Sequence, residues 1–539
     1  MKHAFDTLGV MIDMSRNAVM SLDGLKRFLP LLAKMGYNCV MLYTEDTYEV
    51  DGEPYFGYMR GRYSKEEMKQ IDAFAQSLGI TVIPCVQTLA HLNGIFRWNV
   101  YPRDTDDILL TDDPRTYALI DHMIATLSEC FTSRKIHVGM DEAHMLGRGK
   151  HLDIHGYKKT GDIMKRHLNK VVEIAEKYGY EVMMWSDMFF RPWNNDKYYI
   201  PKCEVPKEIV ESVPSSVIPV YWDYYKTTEK EYSDMIENHK QLSDKTWFAG
   251  GSWSWHGFIP FNRFTITSMI PAINACKKHG IRHIFFTMWG DDGGECSHFS
   301  QLPSLFYIAE YAKGNFDEAK MKDKFCRMVG IDYDEFMAID CPNDVVPYAG
   351  RPRNPSKYML YSDYFNDYLD YTVKPGAGQN YVEFARKLRA TAKKSRRYGY
   401  VFDTAAKLCD VMAIKYELGL RTRRAYEAGD KDELSRLAKN EYVQVAKRID
   451  IFAKAFEKQW FADNKPHGFD VQDHRLGALI RRTDACRRRI LDYVNGKIDR
   501  IEELDENLLP FMAHEESTMI NRACVFATAN IIHMGHVPF

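Results

Sequence analysis

Two adjacent acids, Asp141 and Glu142, end the run Arg134-Lys-Ile-His-Val-Gly-Met-Asp-Glu-Ala-His144, and this junction is where the chain first shows chemistry. If residues 135–141 are a strand, Ile136, Val138 and Met140 share one face while His137, Gly139 and Asp141 share the other. The apolar face would pack on helices and the polar face would look inward. Glu142 falls just past the strand and escapes the alternation, so both acids can enter one pocket. Two carboxylates this close resist ionising together at low dielectric, and one is expected to hold its proton near neutral pH. A proton donor beside an anion is the equipment of glycoside cleavage. A bare Asp-Glu pair is also how a solvated loop begins, so the surrounding elements decide.

Eight strand-like runs occupy the first part of the chain, at 7–13, 37–43, 80–86, 135–141, 180–186, 217–222, 247–251 and 283–289, with helical stretches between them. The second helix opens with Ser64 and Glu67 in capping-box spacing and stops at Gly79; the fourth stops at Gly179. Repeated strand and helix units with apolar strands predict a parallel sheet, and eight of them predict an α/β fold of the (β/α)8 barrel type; a doubly wound open sheet is the alternative.

A barrel keeps its active site at the carboxyl ends of its strands, and polar and aromatic residues gather there. Strand one ends Asp13-Met-Ser-Arg16, and strand three runs on to Gln87-Thr-Leu-Ala-His91. Strand five ends in Trp185 and Asp187, and strand six gives Trp222-Asp-Tyr-Tyr225. Strand seven gives Ser252-Trp-Ser-Trp-His256 and strand eight Trp289-Gly-Asp-Asp292. A single Trp is commonly core, but four strand ends carrying Trp beside polar groups suit a sugar, held by aromatic faces and by planar acids and Arg at its hydroxyls.

At 539 residues the chain exceeds one ordinary core, which predicts a barrel domain over 1–320 and a second domain over 321–539. Lys plus Arg (72) nearly balances Asp plus Glu (74), so no global charge favours nucleic acid or an anionic membrane surface. No apolar run reaches the ~18 residues a membrane-spanning helix needs. Eleven cysteines without CxxC pairs suit a reducing compartment, and the first strand begins where a signal peptide would place its apolar core, so a cytoplasmic location is expected.

After about residue 320 the chain reads as an all-α domain, with helices expected at 355–372, 380–398, 402–428, 431–458 and 471–495. Basic clusters at 421–424 and 487–489 are interleaved with acids and read as solvated helix faces. The aromatic loop from Trp460 to Phe469 is open to three readings: a cap on the barrel, a subunit contact or simple packing.

His137-Val-Gly-Met-Asp-Glu142 resembles the strand-four signature of glycoside hydrolase family twenty, the exo-acting β-N-acetylhexosaminidases. Gly9-Val-Met-Ile-Asp-Met-Ser-Arg16 resembles the family's first-strand segment, and Tyr63-Ser-Lys-Glu-Glu through Ile80-Thr-Val-Ile-Pro to His91 is a third match. The chain departs from familiar members in lacking a preceding α/β domain, in reading Tyr43-Thr-Glu-Asp46 at strand two, and in carrying a helical domain after the barrel, as in the bacterial intracellular branch.

The resemblance implies retention by substrate assistance, with Glu142 as general acid and base and Asp141 orienting the 2-acetamido group. It implies that Arg16 and Asp291 grip the hydroxyls, with Asp292 or Glu295 as substitutes for Asp291, and that Trp185, Trp222 and Trp289 box the acetamide methyl. Strand seven shows Trp253 where the family's acetamide-binding Tyr is expected, so Tyr224 or Tyr225 is the substitute. His91 and His137 are either orienters of the acid pair or core histidines. No metal and no cofactor is implied.

The resemblance implies a glycan with a terminal N-acetylhexosamine as the partner, and a homodimer through the helical domain is a further expectation. The competing functions are a non-catalytic sugar-binding barrel and a metal-dependent isomerase or aldolase on the same fold.

Overall fold

Most of the apolar runs become strands because both of their faces are covered, one by helices and one by the interior of a closed barrel. The structure is a computed structural model describing residues 4–291, 293–346, 352–367 and 369–509. Its strands are β1 (Thr7–Asp13), β2 (Cys39–Tyr43), β3 (Thr81–Cys85), β4 (Lys135–His137), β5 (Glu181–Trp185), β6 (Ile218–Trp222), β7 (Trp247–Gly251) and β8 (His283–Met288). They run parallel in sequence order and close β1 on β8, with Val10 opposite Val40 on one side and Phe286 on the other. The open-sheet alternative is thereby excluded.

Local signals place the connecting helices. Ser64 accepts the Glu67 N–H and Glu67 answers at the Ser64 N–H, a complete capping box before Lys65–Ser77. Gly79 and Gly179 take left-handed backbone (φ 73 at each) where those helices turn into β3 and β5. Among the described residues no helix is long and apolar enough to cross a membrane.

One strand is shorter than its sequence suggests. β4 stops at His137, and the chain then passes through left-handed backbone at Gly139 (φ 74), Met140 (φ 70) and Glu142 (φ 51). Alternation therefore accounts for inward-facing His137 but not for Asp141, which a coil delivers instead. The coil is tied on both sides: the Val138 N–H donates to the Met183 carbonyl at 2.8 Å, and the Val138 carbonyl receives the Thr88 N–H at 3.1 Å.

The chain divides into two compact units. The first holds the residues up to 252 with 265–289 and 304–321, and the second holds 253–264, 290–303 and the described residues from 322 onward. The second unit is helical, with Pro355–Tyr361, Gln379–Lys394, Gly399–Glu427, Lys431–Lys439, Glu441–Asp463 and Phe469–Val494.

Two helices expected there differ from the sequence reading. The one expected over 355–372 ends at Tyr361, because the Asp363 carboxylate captures the N–H groups of Phe365 and Asn366, an alternative to helical bonding. The one expected over 431–458 breaks at Asn440, a poor helix former, into two. The basic clusters are bound up locally: Arg421 pairs with Glu433 and Glu441, Arg487 and Arg488 pair with Asp484, and Arg423 donates to the carbonyls of Leu504 and Phe365. In that aromatic stretch Trp460 packs on Phe456 and Phe469, while Phe461 stands about half exposed.

Buried charges of the second unit join the segment after β8 to its helices. Glu295 receives the fully buried Lys357 at 2.7 Å, and Arg475 lies 3.3 Å away. Removing one partner of such a group leaves charge without full compensation in a low-dielectric interior. Lys357→Met should lower the stability of this unit by about 3 kcal/mol, read as a fall in the denaturation midpoint; an unchanged midpoint would mean that Arg475 alone suffices for Glu295.

Candidate active site

At the carboxyl ends of the strands in the first unit, five polar side chains form one connected chain. Arg16 Nη2 lies 3.2 Å from Glu45 Oε1, and the same oxygen accepts the Tyr43 hydroxyl at 3.0 Å. Gln87 Nε2 donates to the Tyr43 hydroxyl oxygen at 2.9 Å and to Asp141 Oδ1 at 2.6 Å. Gln87 Oε1 accepts the Met140 N–H at 3.0 Å, so one carboxamide fixes both the Asp141 side chain and the backbone leading to it. Gly139 permits this approach, since a Cβ at that position would stand 2.0 Å from Gln87 Oε1.

His91 completes the surroundings of Asp141. Its Nε2 is 3.2 Å from Asp141 Oδ2 and 4.0 Å from Glu142 Oε2. Burial works against a charged imidazole, but the Asp141 carboxylate outweighs it and lifts the His91 pKa to about 9. Burial likewise works against the Asp141 charge, and the His91 and Gln87 donors reverse it, leaving that carboxyl below its ordinary range. Asp141 is thus held in its ionised form. Its side chain is 13% exposed, whereas that of Glu142 is 41% exposed and open to an incoming group.

Several residues here sit in left-handed backbone that non-glycine residues rarely adopt: Asn17 (φ 70), Glu45 (φ 42), His91 (φ 58), Met140 (φ 70) and Glu142 (φ 51). Such conformations persist only when their surroundings over-determine them, and they concentrate at functional sites.

The aromatic side chains make a continuous wall. Trp185 lies 4.3 Å from the His137 ring and 6.0 Å from Trp289, and Trp289 meets Tyr43 edge-on at 4.8 Å. Trp289 Nε1 donates to the Tyr224 hydroxyl at 3.1 Å, and the Tyr224 ring stacks on Trp222 at 5.5 Å. Gly251 makes room for that stack, because a Cβ there would come within 2.9 Å of the Tyr224 ring. Of the two tyrosines raised by the sequence, Tyr224 stacks on Trp222, and Tyr225 meets Tyr224 edge-on at 5.3 Å and Tyr199 at 6.1 Å.

The sequence-predicted residues therefore fall into three groups. Arg16, His91, Asp141, Glu142, Trp185, Trp222, Tyr224 and Trp289 are linked by the contacts above. His137 is a fully buried floor residue that accepts the Gly139 N–H on Nδ1, and burial lowers its pKa to about 3, so it stays neutral. Trp253 and Asp291 belong to the second unit, where Trp253 stacks on Trp255 at 4.4 Å. Glu295 is committed to Lys357 and Arg475, and Asp292 lies outside the described residues. At strand two Glu45 faces Arg16, whereas Asp46 is paired to Arg60 at 3.3 Å.

Sequence reasoning gave no role to Tyr43 or Gln87 and passed over Arg191, whose Nη2 is 3.4 Å from Glu142 Oε1. The one signal for Arg191 was its place four residues after Asp187, the spacing of an ion pair on a helical turn. Among the described residues no three His, Cys, Asp or Glu side chains converge as a metal site. A cavity of about 760 Å³ opens at the opposite, amino ends of the strands, but its polar groups close on one another, as in Thr7 with His283 at 2.8 Å and Lys135 with Glu181.

Asp141, Glu142, Trp185, Trp222 and Tyr224 stand within residues matched by a family's catalytic-domain model, Trp289 lies beyond that match, and a second model of the same family matches the helical region. The glycosyl hydrolase family 20 catalytic domain matches residues 5–234, and the glycoside hydrolase 20C C-terminal domain matches residues 334–523. The chain belongs to glycoside hydrolase family 20.

Human hexosaminidase D is 26% identical over 211 residues, covering 37% of this chain and 41% of that protein. The bovine protein of the same name is 25% identical over 244 residues, covering 43% of this chain and 65% of that protein. The chain thus spans less than two thirds of either relative. Among solved structures, a family 20 exo-β-N-acetylglucosaminidase of Vibrio harveyi in complex with N-acetylglucosamine aligns at 15% identity with a TM-score of 0.46, covering 62% of this chain and 58% of that one.

The His91–Asp141 pair makes stability depend on pH. With its folded pKa raised to about 9 from 6.5, His91 contributes stability that is complete below pH 6.5 and is lost as pH rises through 9. The loss should be on the order of 2–3 kcal/mol, and it should disappear from the denaturation profile of His91→Asn. The Asp141 contribution runs the other way and is lost as pH falls through the acid range.

Proposed function

We propose that this protein is an exo-β-N-acetylhexosaminidase that releases terminal β-linked N-acetylglucosamine, N-acetylgalactosamine or both by retaining, substrate-assisted catalysis. The observation that carries this reading is the state of Asp141: Gln87 Nε2 donates to its Oδ1, and the His91 imidazole stands 3.2 Å from its Oδ2 as an ion pair. A carboxylate held in this way is a poor nucleophile but a well-placed acceptor.

The proposed first step uses the substrate's own acetamide oxygen, which bonds to C1 as the C1–O bond to the leaving group breaks. Glu142 gives its proton to the departing oxygen, while Asp141 accepts the acetamide N–H and stabilises the oxazolinium charge. Water then attacks C1 as the bond from C1 to the acetamide oxygen breaks and the acetamide is restored, and Glu142 takes its proton back from that water. Trp185, Trp222, Tyr224 and Trp289 would enclose the acetamide methyl and the sugar face, and Arg16, oriented by Glu45, would hold hydroxyls. Family membership and the name hexosaminidase D borne by the human and bovine relatives support this reading.

Three coarser expectations are carried forward as proposals. The division at 320/321 into a catalytic barrel and a helical domain is one. A reducing, cytoplasmic setting is another, supported by ten described cysteines that are all free thiols. A homodimer through the helical domain is the third, supported by Ile451 and Phe461 standing about half exposed on one helix.

Hydrolysis of chromogenic β-GlcNAc, β-GalNAc and β-glucoside substrates, with chelator present, tests the activity and ranks the two sugars. Cleavage confined to the acetamido sugars and blocked by a thiazoline mimic of the oxazoline is the expected result; a folded protein that cleaves none of them would overturn the reading. Glu142→Gln should lower turnover of poor leaving groups by roughly 10²–10⁴ while largely sparing binding. Asp141→Asn should lower turnover of the acetamido substrates and weaken inhibition by the thiazoline together, and lost turnover with unchanged thiazoline inhibition would make Asp141 a direct nucleophile.

A further inference from the structure

The carboxylate proposed to move the proton has a cation beside it. Arg191 follows the short helix Asp187–Phe190, its Nη2 3.4 Å from Glu142 Oε1 and its Nε donating to Asp187 Oδ2 at 3.0 Å. Its Nη1 donates to the Asp196 carbonyl at 3.0 Å, and its guanidinium carbon lies 6.0 Å from the centre of the Tyr198 ring. The guanidinium is therefore fixed from several sides with little freedom to swing away.

Asp187 is fully buried, and it joins three parts of the site. Its Oδ2 accepts the Glu142 N–H at 3.0 Å as well as Arg191, and its Oδ1 receives Trp222 Nε1 at 3.4 Å. The bond to the Glu142 N–H braces a residue whose backbone is left-handed. The bond to Trp222 ties the same hub to the aromatic wall.

The geometry points to Asp187 and Arg191 as a positioning pair for Glu142: Asp187 fixes the Glu142 backbone and restrains the guanidinium, and Arg191 receives the Glu142 carboxylate once its proton has gone to the leaving oxygen. The proton balance is that of the proposed reaction, on which this inference rests. The C1–O bond breaks, the leaving oxygen gains the Glu142 proton, and the new anion faces an arginine instead of low-dielectric protein.

Charges reach Glu142 from several elements. They are His91 after β3, Asp141 beside it, Asp187 and Arg191 after β5, and Asp196, which lies 3.1 Å from His144. Tyr224 after β6 also feels its charge. Asp187 itself is pushed up to about 6 by burial and by Asp141, with Arg191 opposing, and the guanidinium is shared between Asp187 and Glu142.

The two members carry opposite charge, so their removal must act in opposite directions. Arg191→Gln removes a cation, and Glu142 should hold its proton to higher pH. Asp187→Asn removes an anion and frees Arg191, and Glu142 should release its proton at lower pH. At a partly exposed group each displacement should be on the order of half to one pH unit. Arg191→Lys keeps the charge and should stay near wild type.

Two readouts on the full chain test this. One is the alkaline limb of the kcat/KM pH profile on a poor leaving group. The other is the titration of the Glu142 carboxyl by NMR with isotope-labelled glutamate, its resonance identified by its absence in Glu142→Gln. Opposite displacements in Arg191→Gln and Asp187→Asn support the pair; no displacement, or displacements in the same direction, overturns it. Should Asp187→Asn fail to fold, Arg191→Gln against Arg191→Lys decides, and equal behaviour of those two variants overturns the inference. If the wild type cleaves no hexosaminide, the activity reading fails, and the NMR titration alone decides the pair.

Discussion

The site depends on one carboxamide. Gln87 donates to Asp141 and to Tyr43 and accepts the Met140 N–H, so its two polar atoms join strands two, three and four at the mouth of the barrel. Through Tyr43 the connection runs to Glu45 and Arg16 on the loops of strands two and one. Hydrogen bonds that share partners in a buried setting polarise one another, and each group in such a set is costly to leave unmatched. This network explains why the acid pair has unequal members. Asp141 is enclosed by donors and ionised, while Glu142 reaches past them toward solvent.

The barrel supplies rigid strands, and the chemistry sits on the short segments just beyond them. Those segments hold unfavourable backbone at Glu45, His91, Met140 and Glu142, conformations the hydrogen bonds must over-determine. Asp187 does this for Glu142, and Gln87 does it for Met140. The wall of Trp185, Trp289, Tyr224 and Trp222 is rigid for a related reason, since ring contacts and two indole hydrogen bonds, from Trp289 to Tyr224 and from Trp222 to Asp187, fix its members in turn.

Much of this was legible in the sequence. Apolar runs separated by capped helices specify a closed parallel barrel, and an Asp-Glu pair after the fourth run, with Trp after the fifth, sixth and eighth, outlines the mouth. What local pattern cannot supply is the pairing of side chains distant along the chain. Gln87 looked like ordinary loop polarity, and Arg191 like a charge on a short helix, until folding placed both beside the acids. Strand four was misread in length because alternation continues in the letters through Asp141, whereas Gly139 and Met140 turn the backbone left-handed. Trp253 followed its strand in order but is packed on Trp255 in the second unit, a partition that sequence periodicity does not encode.

The absence of a side chain at residue 139 has a bearing on how this chain can vary. A methyl group there would overlap the Gln87 carboxamide, and the left-handed backbone resists replacement in its own right. A smaller residue at 87 would relieve only part of the overlap, since the Val86 carbonyl would still stand 2.7 Å away, and it would surrender Asp141, Tyr43 and the Met140 N–H together. Positions 87 and 139 are therefore one unit of inheritance. Random mutagenesis sampling them singly would find both closed, and a productive change at either must arrive with a remodelled partner.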